Sequence, residues 1–99
     1  MSTPMIDVHD NPAESRFETM IDGATAVAEY RLADGRITFT HTVVPQALEG
    51  RGVGSALVRA ALAAARERGL KVVPRCSFVA GYMRRHPETQ DLLDPSADF

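Results

Sequence analysis

The chain has 99 residues, which is the size of one domain with a modest core. Hydrophobic residues make up 44% and charged residues 24%, a composition typical of folded proteins and unlike that of disordered chains. No apolar run has the length of a membrane-spanning helix, and the first residues lack the layout of a secretory signal. The single cysteine, Cys76, excludes an internal disulfide and fits a reducing compartment, so we expect a cytoplasmic protein.

The formal net charge of −2 conceals an uneven distribution of charged residues. Residues 51–86 contain eight arginines and lysines and one acid, Glu67, so this segment carries +7 and the rest of the chain −9. A basic segment predicts an anionic ligand, whereas the acidic balance of the whole chain argues against nucleic-acid binding. A solvated helix face is the alternative explanation for the scattered arginines.

Three β-strands are predicted in the first half of the chain, after a loose segment at residues 1–15. The strands span residues 16–21, 24–32 and 36–44. Asp-Gly pairs at 22–23 and 34–35 separate them, and such pairs favour tight hairpin turns. The strands should therefore form an antiparallel meander, which Pro45 ends.

The second half of the chain predicts two helices with a strand between them. The elements are a helix at 53–68, a strand at 71–73, a helix at 77–85 and a final turn at 88–93. Apolar residues recur at helical spacing in the first helix, and Gly69 ends it. The prediction is an α/β fold of order β-β-β-α-β-α, a β-meander followed by β-α-β-α, in one domain at 16–93 with a flexible tail at 94–99.

A glycine-rich loop at residues 50–55 lies between the third strand and the first helix. Backbone N–H groups in the first turn of a helix lack internal partners, and the helix dipole adds partial positive charge there. Glycines remove the side chains that would keep a phosphate away from those groups. The loop therefore predicts a diphosphate site formed by Gly50, Arg51, Gly52, Val53, Gly54 and Ser55.

Two common diphosphate-binding motifs do not fit this loop. A P-loop requires a lysine after its last glycine, and Ser55 follows Gly54 here. A dinucleotide fold requires Gly-x-Gly-x-x-Gly and an acid at the end of the next strand. The third glycine of this loop comes one residue early, and the strand at 71–73 ends at Pro74 without an acid.

The loop resembles the acetyl-CoA-binding motif of the Gcn5-related N-acetyltransferase (GNAT) superfamily. That motif is Gln/Arg-x-x-Gly-x-Gly/Ala, and Gly52 and Gly54 stand at its two glycine positions, with Glu49 in place of Gln or Arg. Residues 17–93 further resemble the minimal YjdJ-like branch of the superfamily. The motifs that carry this likeness are His41-Thr42-x-Val44-Pro45, Pro74-x-Cys76-Ser77-Phe78-x-x-x-Tyr82 and His86-Pro87-Glu88.

The resemblance implies an N-acetyltransferase with a minimal GNAT-like fold, in which helices pack on a splayed sheet, and acetyl-CoA (coenzyme A) as co-substrate. Val43 and Val44 on the splayed strand would then hold the pantetheine arm, and residues 51–55 would hold the diphosphate. Arg84 and Arg85 are candidates for contacts on the adenosine side, where coenzyme A carries a 3′-phosphate. Solvated surface arginines are the alternative for this pair.

Two candidates for the chemistry lie on or beside the second helix. The resemblance implies that Tyr82 donates a proton to the departing sulfur, and the alternative is that it packs in the core against Phe78. Cys76 lies at the predicted helix start beside Arg75, two features that favour a thiolate. It would take the acetyl group and pass it on, or it is a buried structural thiol.

His41 is the candidate general base, since histidine titrates near neutral pH. The strand alternation places it on one face with Ile37, Phe39 and Val43, and a hydrogen-bonded core histidine is therefore the alternative. No group of residues has metal-ligand spacing, so we expect no metal.

The short domain implies an open acceptor site, suited to a small amine or to a lysine or N-terminus of a protein. The acidic first half of the chain would attract a cationic acceptor through its long-range field. We expect a monomer or a weak homodimer. The competing hypothesis is a non-catalytic module that binds coenzyme A or acyl-CoA as a sensor or in an interaction.

Overall fold

The computed structural model describes residues 6–97, and the parts of the predicted terminal segments at residues 1–5 and 98–99 lie outside that range. The strands are β1 (His9–Asn11), β2 (Arg16–Ile21), β3 (Ala24–Ala33), β4 (Arg36–Val43) and β5 (Lys71–Pro74). The helices are α1 (Val53–Glu67) and α2 (Ser77–Arg85). Short 3₁₀ turns lie at Pro12–Glu14, Gln46–Leu48 and Pro87–Leu92.

The strands form one sheet of order β1-β2-β3-β4-β5. The pairs β1–β2, β2–β3 and β3–β4 are antiparallel. Strand β5 runs parallel to β4, and α1 is the crossover between these two strands. In both predicted hairpins the Asp and the Gly have positive φ, with 52° and 79° at the first turn and 54° and 75° at the second. Positive φ at both central residues is the type I′ geometry that matches strand twist. The predicted meander and the α/β fold are confirmed.

The structure adds one strand to the prediction, because β1 lies within the segment predicted to be loose. β1 pairs with β2, and the Asp10 carboxylate in β1 accepts two side-chain hydrogen bonds from elsewhere in the chain. The Tyr30 hydroxyl donates to Asp10 Oδ1 at 2.6 Å, and Arg68 Nη2 donates to Asp10 Oδ2 at 2.8 Å. Three polar residues show no alternation of apolar and polar side chains, so nothing in the local pattern indicates this strand.

The segment after Leu93 also differs from the predicted flexible tail. Asp94 is buried, and its backbone N–H donates to the Val72 carbonyl at 2.9 Å. Its carboxylate accepts a hydrogen bond from Arg36 Nε at 3.0 Å. These contacts fasten the described end of the chain to the first residues of β4 and β5.

The core lies on one face of the sheet, beneath the two helices. Alternate strand residues such as Phe17, Tyr30 and Phe39 are buried, and their rings contact one another at centroid distances of 5.4 and 6.5 Å. The helices contribute the buried residues Val53, Leu57, Val58, Ala61, Leu62, Ala65, Val79, Ala80, Tyr82 and Met83. The buried side chains of each strand therefore lie on the face that packs against the helices.

A β-bulge interrupts the pairing of β3 with β4. Tyr30 pairs with Phe39, whereas the preceding residue, Glu29, pairs with His41. Thr40 is thus an extra residue on β4. Because side chains alternate between the two faces of a strand, one extra residue reverses the orientation of those that follow.

The bulge overturns the predicted orientation of His41. Ile37 and Phe39 are buried, but beyond the bulge it is Thr42 that faces the core, while His41 and Val43 are exposed on the opposite face. The prediction that His41 and Val43 share a face with the buried residues of this strand is therefore wrong. The prediction assumed that side chains alternate between the two faces without interruption at Thr40. No local feature of the sequence indicates the bulge there.

Candidate functional site

The sheet opens between β4 and β5, as the predicted splay requires. Their register runs from Arg36 opposite Lys71 to Phe39 opposite Pro74. One further hydrogen bond follows, from Cys76 N–H to the Phe39 carbonyl at 3.0 Å. Proline has no N–H to continue the ladder, and the chain then turns into α2. The last residues of β4 therefore have a backbone edge that β5 does not cover.

The glycine loop reaches α1 through two left-handed residues. Gly50 has φ of +78° and Gly52 has φ of +73°, a region that side chains disfavour. Gly52 is the N-cap of α1, and the first helical bond runs from Ala56 N–H to its carbonyl at 3.1 Å. Among residues 6–97, no side chain caps this helix. The N–H groups of residues 53–55 therefore have no partner within the helix, and their role in binding a diphosphate stays a prediction.

Gly54 is required for a different reason, because the aromatic ring of Phe78 lies directly against it. A Cβ atom at Gly54 would lie 2.6 Å from Phe78 Cζ and 3.2 Å from Cε1 and Cε2. Phe78 is in the first turn of α2, and 39% of its surface is exposed. The missing side chain of Gly54 thus lets α1 and α2 approach each other at their N-terminal ends.

A cavity of about 240 Å³ lies over the start of α1. Its lining residues are Val44, Leu48, Glu49, Gly50, Gly52, Val53, Gly54, Ser55 and Phe78. The predicted loop residues other than Arg51 therefore line one cavity together with Val44. Val43 lies on the other face of the strand, so only its backbone is available to the cleft.

The predicted basic contacts lie outside this cavity. Arg51 donates from Nη1 and Nη2 to Asp22 Oδ2, both at 3.2 Å, and Arg84 and Arg85 are exposed in the last turn of α2. Two other basic residues of the +7 segment have structural roles. Arg66 binds Asp91 in bidentate fashion at 2.8 and 2.9 Å, and Arg68 pairs with the carboxylate that fixes β1.

Cys76 is the N-cap of α2, which confirms its predicted position at a helix start. The residue is only 9% exposed. Its Sγ lies 3.3 Å from Thr42 Oγ1, a hydrogen bond in which either atom can be the donor. The bulge produces this contact, because it turns Thr42 toward the helices. The thiol and the hydroxyl thus meet inside the cleft between β4 and α2.

His41 lies on the face of the sheet opposite Cys76, with 72% of its side chain exposed. Its Nδ1 is 3.4 Å from Glu29 Oε1, so the protonated imidazole has an ion-pair partner. The two residues line a cavity of about 340 Å³ together with Glu14, Ser15, Tyr30, Arg31 and Thr40. The alternative of a core histidine is wrong, and the exposed ring leaves the general-base role as a prediction.

Tyr82 is buried and lines another cavity, of about 210 Å³, between α1, α2 and the last 3₁₀ turn. Its ring stacks on His86 with centroids 3.9 Å apart and an interplanar angle of 14°. Phe78, the ring partner expected from helical spacing, lies on Gly54 instead. The structure thus places Tyr82 in the core and away from the glycine loop, and its role as a general acid stays a prediction.

Three residues of interest are not among the candidates from sequence: Thr42, Phe78 and Glu29. Thr42 and Phe78 stand within the motifs that carry the family resemblance, which was the available signal. Glu29 has no such signal, because its contact with His41 depends on the cross-strand register.

Two general features of the described chain bear on function. Within residues 6–97, no helix combines the length and apolar character that crossing a bilayer demands. The same residues contain no group of three or more histidine, cysteine or acidic side chains placed to hold a metal ion.

Known proteins are similar to this chain in sequence, and one of them also in solved structure. Protein NATD1 of Gallus gallus is 32% identical over 90 residues, which cover 88% of this chain and 82% of that protein. The NMR solution structure of a GCN5-like protein from Staphylococcus aureus is 32% identical and has a TM-score of 0.71, covering 90% of this chain and 88% of that one. Residues 16–92 match the family described as GCN5-related N-acetyl-transferase. The resemblance at the superfamily level is therefore confirmed, and this chain is an acetyltransferase of the GCN5-related N-acetyltransferase family.

Proposed function

We propose that the protein transfers the acetyl group of acetyl-CoA to an exposed amine, and that the coenzyme diphosphate binds at the start of α1. The observation that carries this proposal is the cavity whose floor is the uncapped first turn of α1. Phosphate oxygens accept hydrogen bonds, and the N–H groups of residues 53–55 offer them beside the positive end of a helix dipole. The left-handed Gly50 and Gly52 keep side chains away from that approach.

The open edge of β4 supports binding of the pantetheine arm. Pantetheine carries two amide groups, and buried amides need hydrogen-bond partners. The β4 backbone beyond Phe39 is not paired with β5, and Val44 lines the cavity at its end. The backbone groups of Val43 and Val44 are thus the proposed hydrogen-bond partners of the arm, which would take the place of a neighbouring strand.

The basic residues have separate proposed roles in this scheme. The contact of Arg51 with Asp22 is an exposed ion pair, and such pairs contribute little to stability. Arg51 is therefore able to exchange this carboxylate for a phosphate at the neighbouring loop. Arg84 and Arg85 stay candidates for the 3′-phosphate, at the opposite end of α2 from Phe78.

The transfer requires an amine, a thioester and two proton movements. The amine nitrogen attacks the acetyl carbonyl, the carbon–sulfur bond breaks, the nitrogen loses a proton to a base, and the coenzyme thiolate takes one up. In the direct route we assign the base to His41, with Glu29 beside it. In the covalent route Cys76 first forms its own thioester and releases the coenzyme thiol, and the amine then displaces the cysteine sulfur. The Thr42 hydroxyl is the hydrogen-bond partner of that sulfur.

The acceptor is proposed to be a cationic amine, either a small molecule or a lysine or N-terminus of a protein. The cavity beside His41 includes the carboxylates of Glu14 and Glu29, which favour positive charge. The YjdJ-like branch, a cytoplasmic location and a monomeric or weakly dimeric state belong to this proposal as well. They rest on the sequence motifs, the single cysteine and the small size of the domain.

An acetyl-transfer assay tests the proposed function. The purified protein is incubated with acetyl-CoA and a panel of polyamines and lysine peptides, and products are identified by mass. We expect acetylated amine, and loss of product in Gly52→Ala, where strain disturbs the loop. Coenzyme binding without transfer to any amine would instead favour the non-catalytic module.

The same assay separates the two chemical routes. In the covalent route the protein gains one acetyl group, and Cys76→Ser prevents both this gain and product formation. In the direct route Cys76→Ser retains turnover, whereas His41→Ala loses most of it. Retention of full turnover in both variants would remove these two residues from the mechanism.

A further inference from the structure

Both walls of the cavity at the glycine loop lead toward the Thr42–Cys76 pair. Val44 follows Thr42 by two residues along one wall, and Phe78 follows Cys76 by two residues along the other. Val44 and Phe78 line the cavity, whereas Thr42 and Cys76 do not. On both segments the cavity lining thus stops two residues away from the hydrogen-bonded pair.

The Phe78 ring is the part of α2 that lines the cavity. It extends from the first turn of α2 to the first turn of α1, and it lies so close to Gly54 that no Cβ fits between them. The ring is 39% exposed, whereas Cys76 is 9% exposed and only two residues away. A partly exposed ring has less buried area to lose when it rotates than a ring in the core.

We propose that Phe78 is a gating residue for the acyl end of the coenzyme. With its ring on Gly54, the cavity accommodates the diphosphate end and excludes the thioester from Thr42 and Cys76. When the ring leaves Gly54, the cavity continues along β4 to that pair. This inference rests on the proposed function, because a thioester bound by its diphosphate at the loop reaches the cleft through this passage.

The test measures access to Cys76 directly, without acetyl-CoA. N-ethylmaleimide adds a thiol across its double bond, and the chain has one cysteine, so the intact mass reports on Cys76 alone. Phe78→Ala should raise the rate of addition about tenfold or more, since a minor open state is commonly ~10% populated or less. Gly54→Ala should raise it as well, because the new methyl group occupies the position of the ring.

Three controls make the result specific. Phe78→Tyr keeps the ring and should react at the wild-type rate. Leu32→Ala removes an exposed apolar side chain on β3, 53% exposed and absent from the cavity lining, and should also react at the wild-type rate. The rate of the denatured protein gives the upper limit, and circular dichroism at the assay temperature shows that each variant is folded.

The outcomes distinguish this inference from the proposed function. Equal rates for folded Phe78→Ala and the wild type would overturn the gate, even if acetyl-CoA binds. If the rates differ but the wild type does not bind acetyl-CoA, the ring controls access to Cys76 and the proposed function fails. If Phe78→Ala does not fold, Gly54→Ala decides the question, and a wild-type rate in that variant overturns the gate.

Discussion

Glu49 is the residue at which this chain departs from its family at the coenzyme loop. It lines the cavity at the start of α1, where the family motif has Gln or Arg. A carboxylate at this position repels a diphosphate, although the exposed location weakens the effect. In the proposed binding mode, the uncapped N–H groups of the helix bind the phosphates beside an unfavourable negative charge.

Replacement of Glu49 by Gln should strengthen acetyl-CoA binding. We expect the dissociation constant to fall about two- to fivefold, the range typical of exposed charge interactions, and the gain to shrink as salt is raised. Calorimetric titration of both proteins at two ionic strengths measures this. Glu67→Gln, at the far end of α1, removes the same charge and should leave the affinity nearly unchanged. An equal gain in both variants would show a long-range effect of net charge instead.

Tyr30 is a tyrosine whose ionisation should depend on whether the protein is folded. Burial raises the pKa of Tyr30 to about 12, and the hydrogen bond and negative charge of Asp10 add to the shift. A raised pKa means that the neutral phenol is favoured in the folded protein. Its contribution to stability is fully present below pH 10 and is lost as the pH rises toward 12.

The Tyr82→Phe variant isolates this titration, because the chain has two tyrosines. The near-ultraviolet absorbance of the remaining phenol should titrate at about 12 in the folded protein and near 10 in denaturant. The free energy of unfolding should fall over the same interval in the wild type and fall less in Tyr30→Phe. A folded-state titration near 10 would mean that the contact with Asp10 is not formed.

At the scale of elements, the local signals in the sequence were sufficient for most of the meander and the helices. The Asp-Gly turns, the alternation in β2 and β4 and the glycine after α1 are encoded within a few residues. β1 is different, since its three residues are held by partners far along the chain, Tyr30 and Arg68. The bulge at Thr40 is different too, because a bulge exists only in the register between two strands.

The segment after Leu93 connects β4 and β5, because Asp94 forms hydrogen bonds with a residue of each strand. Hydrogen bonds from the Ser96 hydroxyl and backbone N–H, followed by the contact with Arg36, hold the pKa of Asp94 below its usual value of 3.8. A lowered pKa means that the charged carboxylate is favoured by folding. This contribution is present above the usual pKa and is lost as the pH falls through the lower folded value.

Asp94→Asn should therefore lower the melting temperature at neutral pH, because the amide cannot form the same charged contacts. The difference between variant and wild type should narrow as the pH falls below 3.8 and be lost below the lower folded pKa of Asp94, where the wild-type carboxylate is also uncharged in the folded protein. Thermal unfolding followed by circular dichroism over a pH series measures this. A difference that does not change with pH would assign the effect to packing rather than to charge.

At the scale of the whole molecule, the family and the backbone geometry of the glycine loop were predictable because both depend on contiguous residues. The catalytic candidates were harder to place, since their surroundings come from distant elements. His41 lies on one face of the sheet, Cys76 on the other, and Tyr82 in a cavity away from the glycine loop. The +7 segment is also partly structural, because Arg66 and Arg68 bind carboxylates of the protein itself.

The central proposal is that acetyl-CoA binds through its diphosphate at the start of α1. Calorimetric titration of the purified protein with acetyl-CoA tests this most directly, with 3′-dephospho-CoA and NAD as comparison ligands. We expect micromolar binding of acetyl-CoA, weaker binding of the dephospho form, no binding of NAD, and loss of acetyl-CoA affinity in Gly52→Ala. The absence of any heat with acetyl-CoA, or equal affinity in folded Gly52→Ala, would contradict it.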